Sequence, residues 1–268
     1  MEHTSTADRS FTSIEPYETL LRRLRPKSSI QLLRIFSNVP FSASGHQADH
    51  TGIEVSQSSH KIVGVFSSFG SEINESLNRV LPTLLEDSTI RVLLIGPGSL
   101  FIDQFNQIYP MFVDRISTSG RINVLQAWRH FESCDVLLQL YPDGASAARG
   151  TLLAAMASGV PVVTTEGPLT EPLLKASGAL AIADSNPIAI CGRIQHLLTD
   201  LIEARALGAR GRRLYETHFH VQVAVRELRQ GAPRASIAPY QAGGHTQPAT
   251  VVRTSSPSLK TPEQPTLP

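Results

Sequence analysis

The sequence predicts an α/β fold built on a doubly wound parallel sheet. From about residue 60, short apolar runs rich in β-branched residues alternate with longer amphipathic runs. This alternation is typical of strands joined by helical crossovers. Glycines and prolines separate the runs. A chain of 268 residues with 41% hydrophobic content is long enough to bury a core of this kind.

The first forty residues predict a β-α-β fragment. Phe11–Ile14 reads as a strand, Glu15–Leu24 as a helix with a proline in its first turn, and Ile30–Ile35 as a second strand. Residues 41–59 are poor in large apolar side chains and rich in Ser, Gly and His, so they indicate a linker. A new domain is therefore expected to begin near His60.

The elements that follow share the strand-then-helix order. The predicted strands are Lys61–Phe66, Arg91–Ile95, Arg115–Ser117, Val136–Leu140, Val160–Val163 and Leu180–Ile182, and the predicted helices are Glu75–Leu85, Leu100–Ile108, Asn123–Glu132, one after the turn at 141–144, Pro187–Leu201 and Ala204–Thr217. Residues 231–268 concentrate Pro, Thr, Ser and Gln without periodicity, which predicts a disordered C-terminal tail. Ligands of such sheets bind at the carboxyl ends of the strands.

Charge and composition argue against several classes of function. A net charge of +1 gives no electrostatic basis for binding nucleic acid. The chain has no apolar run of membrane-spanning length and no signal-type start, so we expect a soluble, cytoplasmic protein without a transmembrane segment.

The cysteines and histidines do not form the pattern of a metal site. Cys134 and Cys191 lie far apart beside apolar positions, as buried residues of a reducing compartment do. His218 and His220 have no further ligand nearby, which favours packing around Phe219. We therefore predict no bound metal.

The stretch from Leu138 to Thr165 predicts a phosphate site. It reads as a strand, a turn, a helix capped by Asp143 or Ser146, a stop at Gly159 and a second strand. The first N–H groups of that helix, placed near residues 146–149, have no intrahelical partners and favour an anion. Arg149 adds a guanidinium there, although it also fits a solvated surface arginine.

A second glycine-rich turn does not complete a dinucleotide fingerprint. Gly96 and Gly98 follow a predicted strand, but Phe101 stands where that fingerprint needs a small residue. A proline-containing turn is the better interpretation.

Four segments, taken in order along the chain, resemble the sequence motifs of a single protein family. They are IVGVFSSFG, VLLIGPG, STSGRINVLQAWRHFESCDVLLQLYPDG and LLAAMASGVPVVTTEGPLTEPL. From about His60 to Val225 the chain resembles the C-terminal, nucleotide-sugar-binding domain of a GT-B glycosyltransferase of the retaining, glycogen-synthase-like group. The fragment before it is similar to the last β-α-β unit of the family's N-terminal acceptor domain. The resemblance implies a Rossmann-like fold, the C-terminal half of GT-B.

This resemblance also implies a domain organisation. Residues 1–40 would be a remnant of the acceptor domain, 41–59 the linker, 60–230 the nucleotide-sugar-binding domain and 231–268 the tail. Most of an acceptor domain is missing from such an arrangement, so a further N-terminal domain or a partner chain is expected to supply it.

The resemblance implies a site with a nucleoside-diphosphate sugar as donor substrate and no other cofactor. The residues expected at the donor diphosphate are Gly144, Ser146, Ala147, Arg149 and Gly150, and the candidates for sugar or ribose contacts are Glu166, Thr170 and Glu171. The pair Glu171-Pro172 equally fits the start of a helix. The sequence does not define the acceptor.

Two departures from the family pattern concern this site. Family members carry two glutamates separated by seven residues, and Ser146 and Ala154 stand at those positions. Family members also carry an arginine and a lysine after the first strand, where this chain has residues 67–71, SSFGS; Arg149 could replace that cation. The expected function is glycosyl transfer, and the alternative is a non-catalytic nucleotide-binding or interaction module derived from such an enzyme.

Overall fold

The N-terminal segment forms the predicted β-α-β fragment. The computed structural model describes residues 10–25, 30–37, 39 and 60–230. Strand β1 (Ser10–Thr12), helix α1 (Glu15–Leu24) and strand β2 (Ile30–Leu32) follow one another, and the two strands pair in parallel. The bounds of α1 are those predicted, while both strands end earlier. The predicted linker and tail lie outside the described residues.

A larger parallel sheet with helices on both faces occupies residues 60–230. Its strands are β3 (Lys61–Phe66), β4 (Ile90–Ile95), β5 (Ile116–Thr118), β6 (Val136–Gln139), β7 (Val162–Thr165) and β8 (Ala181–Ala183), and its helices are α2 (Ser71–Leu84), α3 (Ser99–Ile108), α4 (Val124–Glu132), α5 (Gly150–Ser158), α6 (Pro172–Ala176), α7 (Pro187–Thr199), α8 (Leu201–His218) and α9 (Val221–Gln230). A 3-10 helix covers Pro110–Arg115.

The strand order is β5-β4-β3-β6-β7-β8, and all neighbours pair in parallel. The chain first builds outward from β3 to β5 and then returns to place β6 on the other side of β3. This reversal between β3 and β6 is a topological switch point, where connections leave the sheet toward opposite faces. The doubly wound α/β fold predicted from the sequence is confirmed.

The central strands are buried on both faces, which explains their continuous apolar runs. Val136, Leu138 and Leu140 face the core formed with α2, α3 and α7, while Leu137 and Tyr141 face the core formed with α4, α5 and α8. The two cores are thus separated by one layer of strands.

Close helix packing beneath α5 depends on two glycines. Gly159 ends α5 with φ of 78°, in the left-handed region that glycine adopts most readily. A Cβ on Gly208 of α8 would lie 1.9 Å from the Gly159 carbonyl oxygen. Glycine at position 208 therefore lets α8 approach the end of α5.

The N-terminal fragment packs against this domain near the start of α5. Ile14 and Val39 are buried in the α5-side core. The Ser37 hydroxyl donates to the Gly150 carbonyl at 3.2 Å. Other apolar side chains of the fragment stay exposed: Phe11, Tyr17, Leu20, Leu24, Ile35 and Phe36.

Several element predictions need correction. α2 begins at Ser71, four residues before the predicted start, because a polar first turn hid its periodicity. α9 was not predicted as a helix. The helix after β6 begins only at Gly150, so residues 146–149 are not its first turn.

The buried cysteines agree with prediction. Cys134 and Cys191 are both buried free thiols, and burial raises their pKa values to about 12 and about 11, respectively. Among the described residues, no group of His, Cys, Asp and Glu side chains is arranged to hold a metal ion. No helix in the part of the chain that the structure describes is long and apolar enough to cross a membrane.

Candidate functional site

The candidate site lies at the carboxyl edge of the sheet, where β3 and β6 are neighbours. The chain leaves β3 through residues 67–70 into α2, and it leaves β6 through residues 140–149 into α5. We call the second connection the β6–α5 loop. Because the two connections depart toward opposite faces, they leave a crevice between them.

Two helices begin at this crevice, and the residue before each of them makes no side-chain capping bond. These residues are Gly70 before α2 and Arg149 before α5. The Tyr141 hydroxyl accepts from the backbone N–H of Leu152, in the first turn of α5. The leading N–H groups of both helices lack intrahelical partners and carry the positive end of the helix dipole. This edge of the sheet therefore favours a negatively charged group.

The predicted caps of α5 do not form. Neither Asp143 nor Ser146 bonds to the start of the helix. The Asp143 carboxylate instead pairs with the Arg149 guanidinium, and Ser146 is buried with its carbonyl accepting from the Arg149 N–H at 3.1 Å. The β6–α5 loop is thus a folded turn that closes on itself through Arg149.

Arg149 is held over an aromatic ring. Its guanidinium carbon lies 5.1 Å from the centre of the Tyr141 ring, and about a third of its side chain is exposed. The Tyr141 hydroxyl lies 2.9 Å from Gln139 Oε1 and 2.7 Å from Thr151 Oγ1. Since Asp143 already offsets part of its charge, Arg149 does not need a ligand to explain its place. It directly precedes the first residue of α5.

Tyr141 was missed by the sequence reasoning. Its side chain is fully occupied by Arg149, Gln139 and Thr151, and burial raises its pKa. In the sequence it stands only as the first residue of a turn. Its contact with Arg149, eight residues later, depends on the folding of the loop and cannot be recognised from the local sequence.

The two positions at which the family carries glutamates are buried in this chain. Ser146 and Ala154 are both buried. Gly144, with φ of 98°, lies at the bend of the loop, where a Cβ would come within 2.2 Å of Thr170 Oγ1. The Ala147 N–H is already taken, since it donates to the carboxylate of Glu171.

The three residues predicted for sugar or ribose contacts lie in one connection, which we call the β7–α6 loop (residues 166–171). Glu166 is partly exposed and pairs with Lys175. Thr170 Oγ1 accepts from the Gly167 N–H at 2.9 Å. Glu171 is fully buried.

Glu171 stands at the start of α6, as the alternative interpretation predicted. Burial raises the pKa of its carboxyl group, while the Ala147 N–H and the positive charge of Arg34 act in the opposite direction. Its second carboxylate oxygen is buried and has no hydrogen-bond partner among the described residues.

The loop after β3 is shaped by serine and glycine. Ser67 Oγ accepts from the Phe69 N–H at 3.0 Å, and Phe69 has a φ of 55°, which is uncommon for a bulky residue. A Cβ on Gly96 would lie 2.3 Å from the Ser67 carbonyl oxygen. Gly96 therefore allows the close approach of these two loops.

A small cleft opens beside the end of β6. Arg79 and Ser76 of α2 line one side of it, and Pro142, Thr165 and Ser185 line others. Arg79 was also missed from sequence, because it stands in an ordinary amphipathic pattern.

Solved structures of known proteins have the same fold. Sucrose-phosphate synthase from Thermosynechococcus elongatus matches with a TM-score of 0.63 at 17% identity over 85% of this chain. HepE from Anabaena matches with a TM-score of 0.61 at 12% identity, and a TarM variant from S. aureus with a TM-score of 0.62 at 13% identity, each over 85% of this chain. The chain spans 58%, 63% and 44% of these proteins, less than two thirds of each.

These similarities place the fold with the GT-B glycosyltransferases, as the sequence motifs predicted. The sequence model of the family described as glycosyl transferases group 1 matches residues 61–200, and the chain belongs to this family. Comparison with curated protein sequences gives no match.

Proposed function

We propose that the chain is the donor-binding part of a glycosyltransferase, which binds a nucleoside-diphosphate sugar and transfers its glycosyl group to an acceptor. The observation that carries the proposal is the pair of helix starts, at Ser71 and Gly150, that lie at the switch point of the sheet and whose preceding residues make no side-chain capping bond. Of the residues predicted for the donor diphosphate, Arg149 and Gly150 are partly exposed, and the diphosphate binds there at the start of α5. The other three, Gly144, Ser146 and Ala147, are buried in the turn that supports this position.

Structures with the same fold support the choice of ligand. HepE was solved in complex with UDP and glucose, and the TarM variant was solved in complex with UDP. A diphosphate also suits the local charge, since two helix dipoles and one guanidinium converge on the crevice.

The chemistry required of the protein is stabilisation of the departing diphosphate. The bond between the sugar and the diphosphate breaks with negative charge developing on the leaving oxygen, and the glycosyl group passes to an acceptor hydroxyl. In this proposal, the N–H groups at the start of α5 and the Arg149 guanidinium stabilise that charge. One such preorganised donor is typically worth about 3 to 4 kcal/mol of barrier.

Calorimetric titration with UDP and with GDP tests the donor site. We expect the unmodified chain to bind one of them and Arg149→Ala to bind it about tenfold more weakly, because a charge-assisted contact to phosphate is lost. Arg205→Ala, which removes an exposed arginine on α8, is the matched control and should bind normally. Absence of binding to either nucleotide would contradict the proposal.

The second candidate function is a nucleotide-binding or interaction module without transferase activity. It is favoured by Ser146 and Ala154, which leave the family's two carboxylate positions without a carboxylate. Nucleotide binding without transfer of sugar to any acceptor, assayed with the full-length gene product, would support the module.

A further inference from the structure

The β7–α6 loop is bonded to the β6–α5 loop beyond the ends of their strands. The Leu169 N–H donates to the Asp143 carbonyl at 2.7 Å, and the Glu171 N–H donates to the Ala145 carbonyl at 3.0 Å. Donors and acceptors two residues apart on each loop reproduce the spacing of paired strands. Main-chain pairing between β6 and β7 therefore resumes within the loops.

Glu171 adds a third connection with its side chain. Its carboxylate accepts from the N–H of Ala147, two residues beyond the Ala145 carbonyl that its own N–H contacts. One residue thus holds the β6–α5 loop at two successive points. A hydrogen bond to a buried carboxylate is also stronger than one between neutral groups.

On the basis of the proposed function, we infer that Glu171 is a positioning residue for the donor site. Its carboxylate fixes the backbone at Ala147 and so sets the path of residues 144–150, on which the donor diphosphate is proposed to bind. In this role Glu171 acts through Ala147 and does not touch the nucleotide.

The position of the side chain distinguishes this role from two others. Glu171 stands at the N-terminal boundary of α6, but its carboxylate makes no capping bond to that helix. A direct contact to sugar or ribose requires an accessible carboxylate, and that of Glu171 is fully buried against Ala147.

The N-terminal fragment brings charges of both signs near Glu171. Arg34 lowers the pKa of Glu171 electrostatically, while Glu15, which pairs with Arg34 at 2.7 Å, raises it. Arg34 Nε is buried and has no hydrogen-bond partner among the described residues, as is the case for the second oxygen of Glu171. Within the Glu171 environment, the Ala147 N–H and Arg34 are the groups that favour the ionised carboxylate.

Amide hydrogen exchange, read residue by residue by NMR, tests the positioning itself. We expect the Ala147 amide to exchange at least about tenfold faster in Glu171→Ala, because its acceptor is gone. Glu171→Gln keeps an acceptor oxygen at the same reach and should retain most of the protection. Glu166→Ala, which removes a partly exposed carboxylate from the same loop, is the control and should leave Ala147 unchanged.

A further variant covers the case in which Glu171→Ala does not fold. Glu171→Asp keeps the charge but withdraws the carboxylate by one methylene, so it should also accelerate exchange at Ala147. Exchange of Ala147 at the unmodified rate in whichever of these two variants folds would overturn the inference.

UDP and GDP titrations then connect positioning to the donor site. Affinity should fall at least about tenfold in Glu171→Ala or Glu171→Asp and stay within a few-fold in Glu171→Gln. Equal loss in the Gln variant would point to a direct contact and overturn the assigned role, as would unchanged affinity in the Ala variant. If the unmodified chain binds neither nucleotide, the proposed function fails, and the exchange rates still decide whether Glu171 holds the loop.

Discussion

Individual glycines decide how closely the two loops at the site approach. A Cβ on Gly167 would lie 2.4 Å from the carbonyl carbon of Asp143 and 2.5 Å from the nitrogen of Gly144. Both neighbours are backbone atoms, so they cannot rotate away as a side chain can. Gly192, an exposed residue of α7, meets no atom within 4 Å of its added Cβ.

This contrast predicts opposite effects of the same substitution. Gly167→Ala should lower the free energy of unfolding by about 1 to 3 kcal/mol through overpacking. Gly192→Ala should raise it by about 0.4 to 1 kcal/mol, because alanine restricts the unfolded chain and favours helix. The urea concentrations at the unfolding midpoints of the two variants measure both changes in stability, provided that the dependence of the free energy on urea (the m-value) is unchanged. A midpoint for Gly167→Ala equal to that of the unmodified chain would show that the loops separate without cost.

Sequence reasoning at the residue scale identified the chemical types at the site better than their partners. Gly144 and Arg149 stand out by type and spacing, and both lie in the β6–α5 loop, although Arg149 was predicted in the first turn of the helix. The partner of Glu171 is the Ala147 N–H, 24 residues earlier in the chain. No local pattern contains such a pairing, since it depends on how β6 and β7 bring their loops together.

At the element scale, the start of α4 shows how a helix boundary is encoded. Asn123 Oδ1 accepts from the Gln126 N–H, and Gln126 Oε1 accepts from the Asn123 N–H, both at 2.9 Å. This reciprocal capping box satisfies two backbone donors at once. It agrees with the predicted helix, which began at Asn123 itself.

Removing that cap should have a measurable cost. Asn123→Ala is expected to lower the free energy of unfolding by about 1 kcal/mol, while Asn123→Ser, which can still accept, should lose much less. Guanidinium unfolding of both variants checks this. A serine variant as unstable as the alanine variant would mean that the side-chain acceptor contributes nothing.

Elements with strong periodicity were predicted nearly to the residue, as β3 and α1 show. The α5 boundary was wrong because residues 145–148 are small and favour helix by propensity, while tertiary bonds from Glu171 hold the chain in a turn. The first turn of α2 is polar and so lacks the apolar positions that would define it. Helix α9 is as long as α1 and was simply missed from the sequence.

At the scale of the whole molecule, the N-terminal fragment and the main domain share one core. Ile14 is 1% exposed in the same cluster as Trp128, the single tryptophan of the chain. The fluorescence of Trp128 therefore reports on a core to which the fragment contributes.

Cutting back one side chain of the fragment should destabilise the entire unit. Ile14→Ala is expected to lower the free energy of unfolding measured by Trp128 fluorescence by about 2 to 4 kcal/mol. Leu20→Ala, which truncates a half-exposed side chain of α1, should change it by less than about 0.5 kcal/mol. A Trp128 transition that Ile14→Ala does not move would indicate that the fragment unfolds separately.

The pairing between the two loops also ties their lengths together. Because Leu169 and Glu171 bond to alternate residues of the opposite loop, one inserted residue in either loop would shift the pattern out of phase. The side chain at position 171 would then point to the wrong side of the pair. Insertions and deletions of one residue are consequently expected to disrupt both loops together.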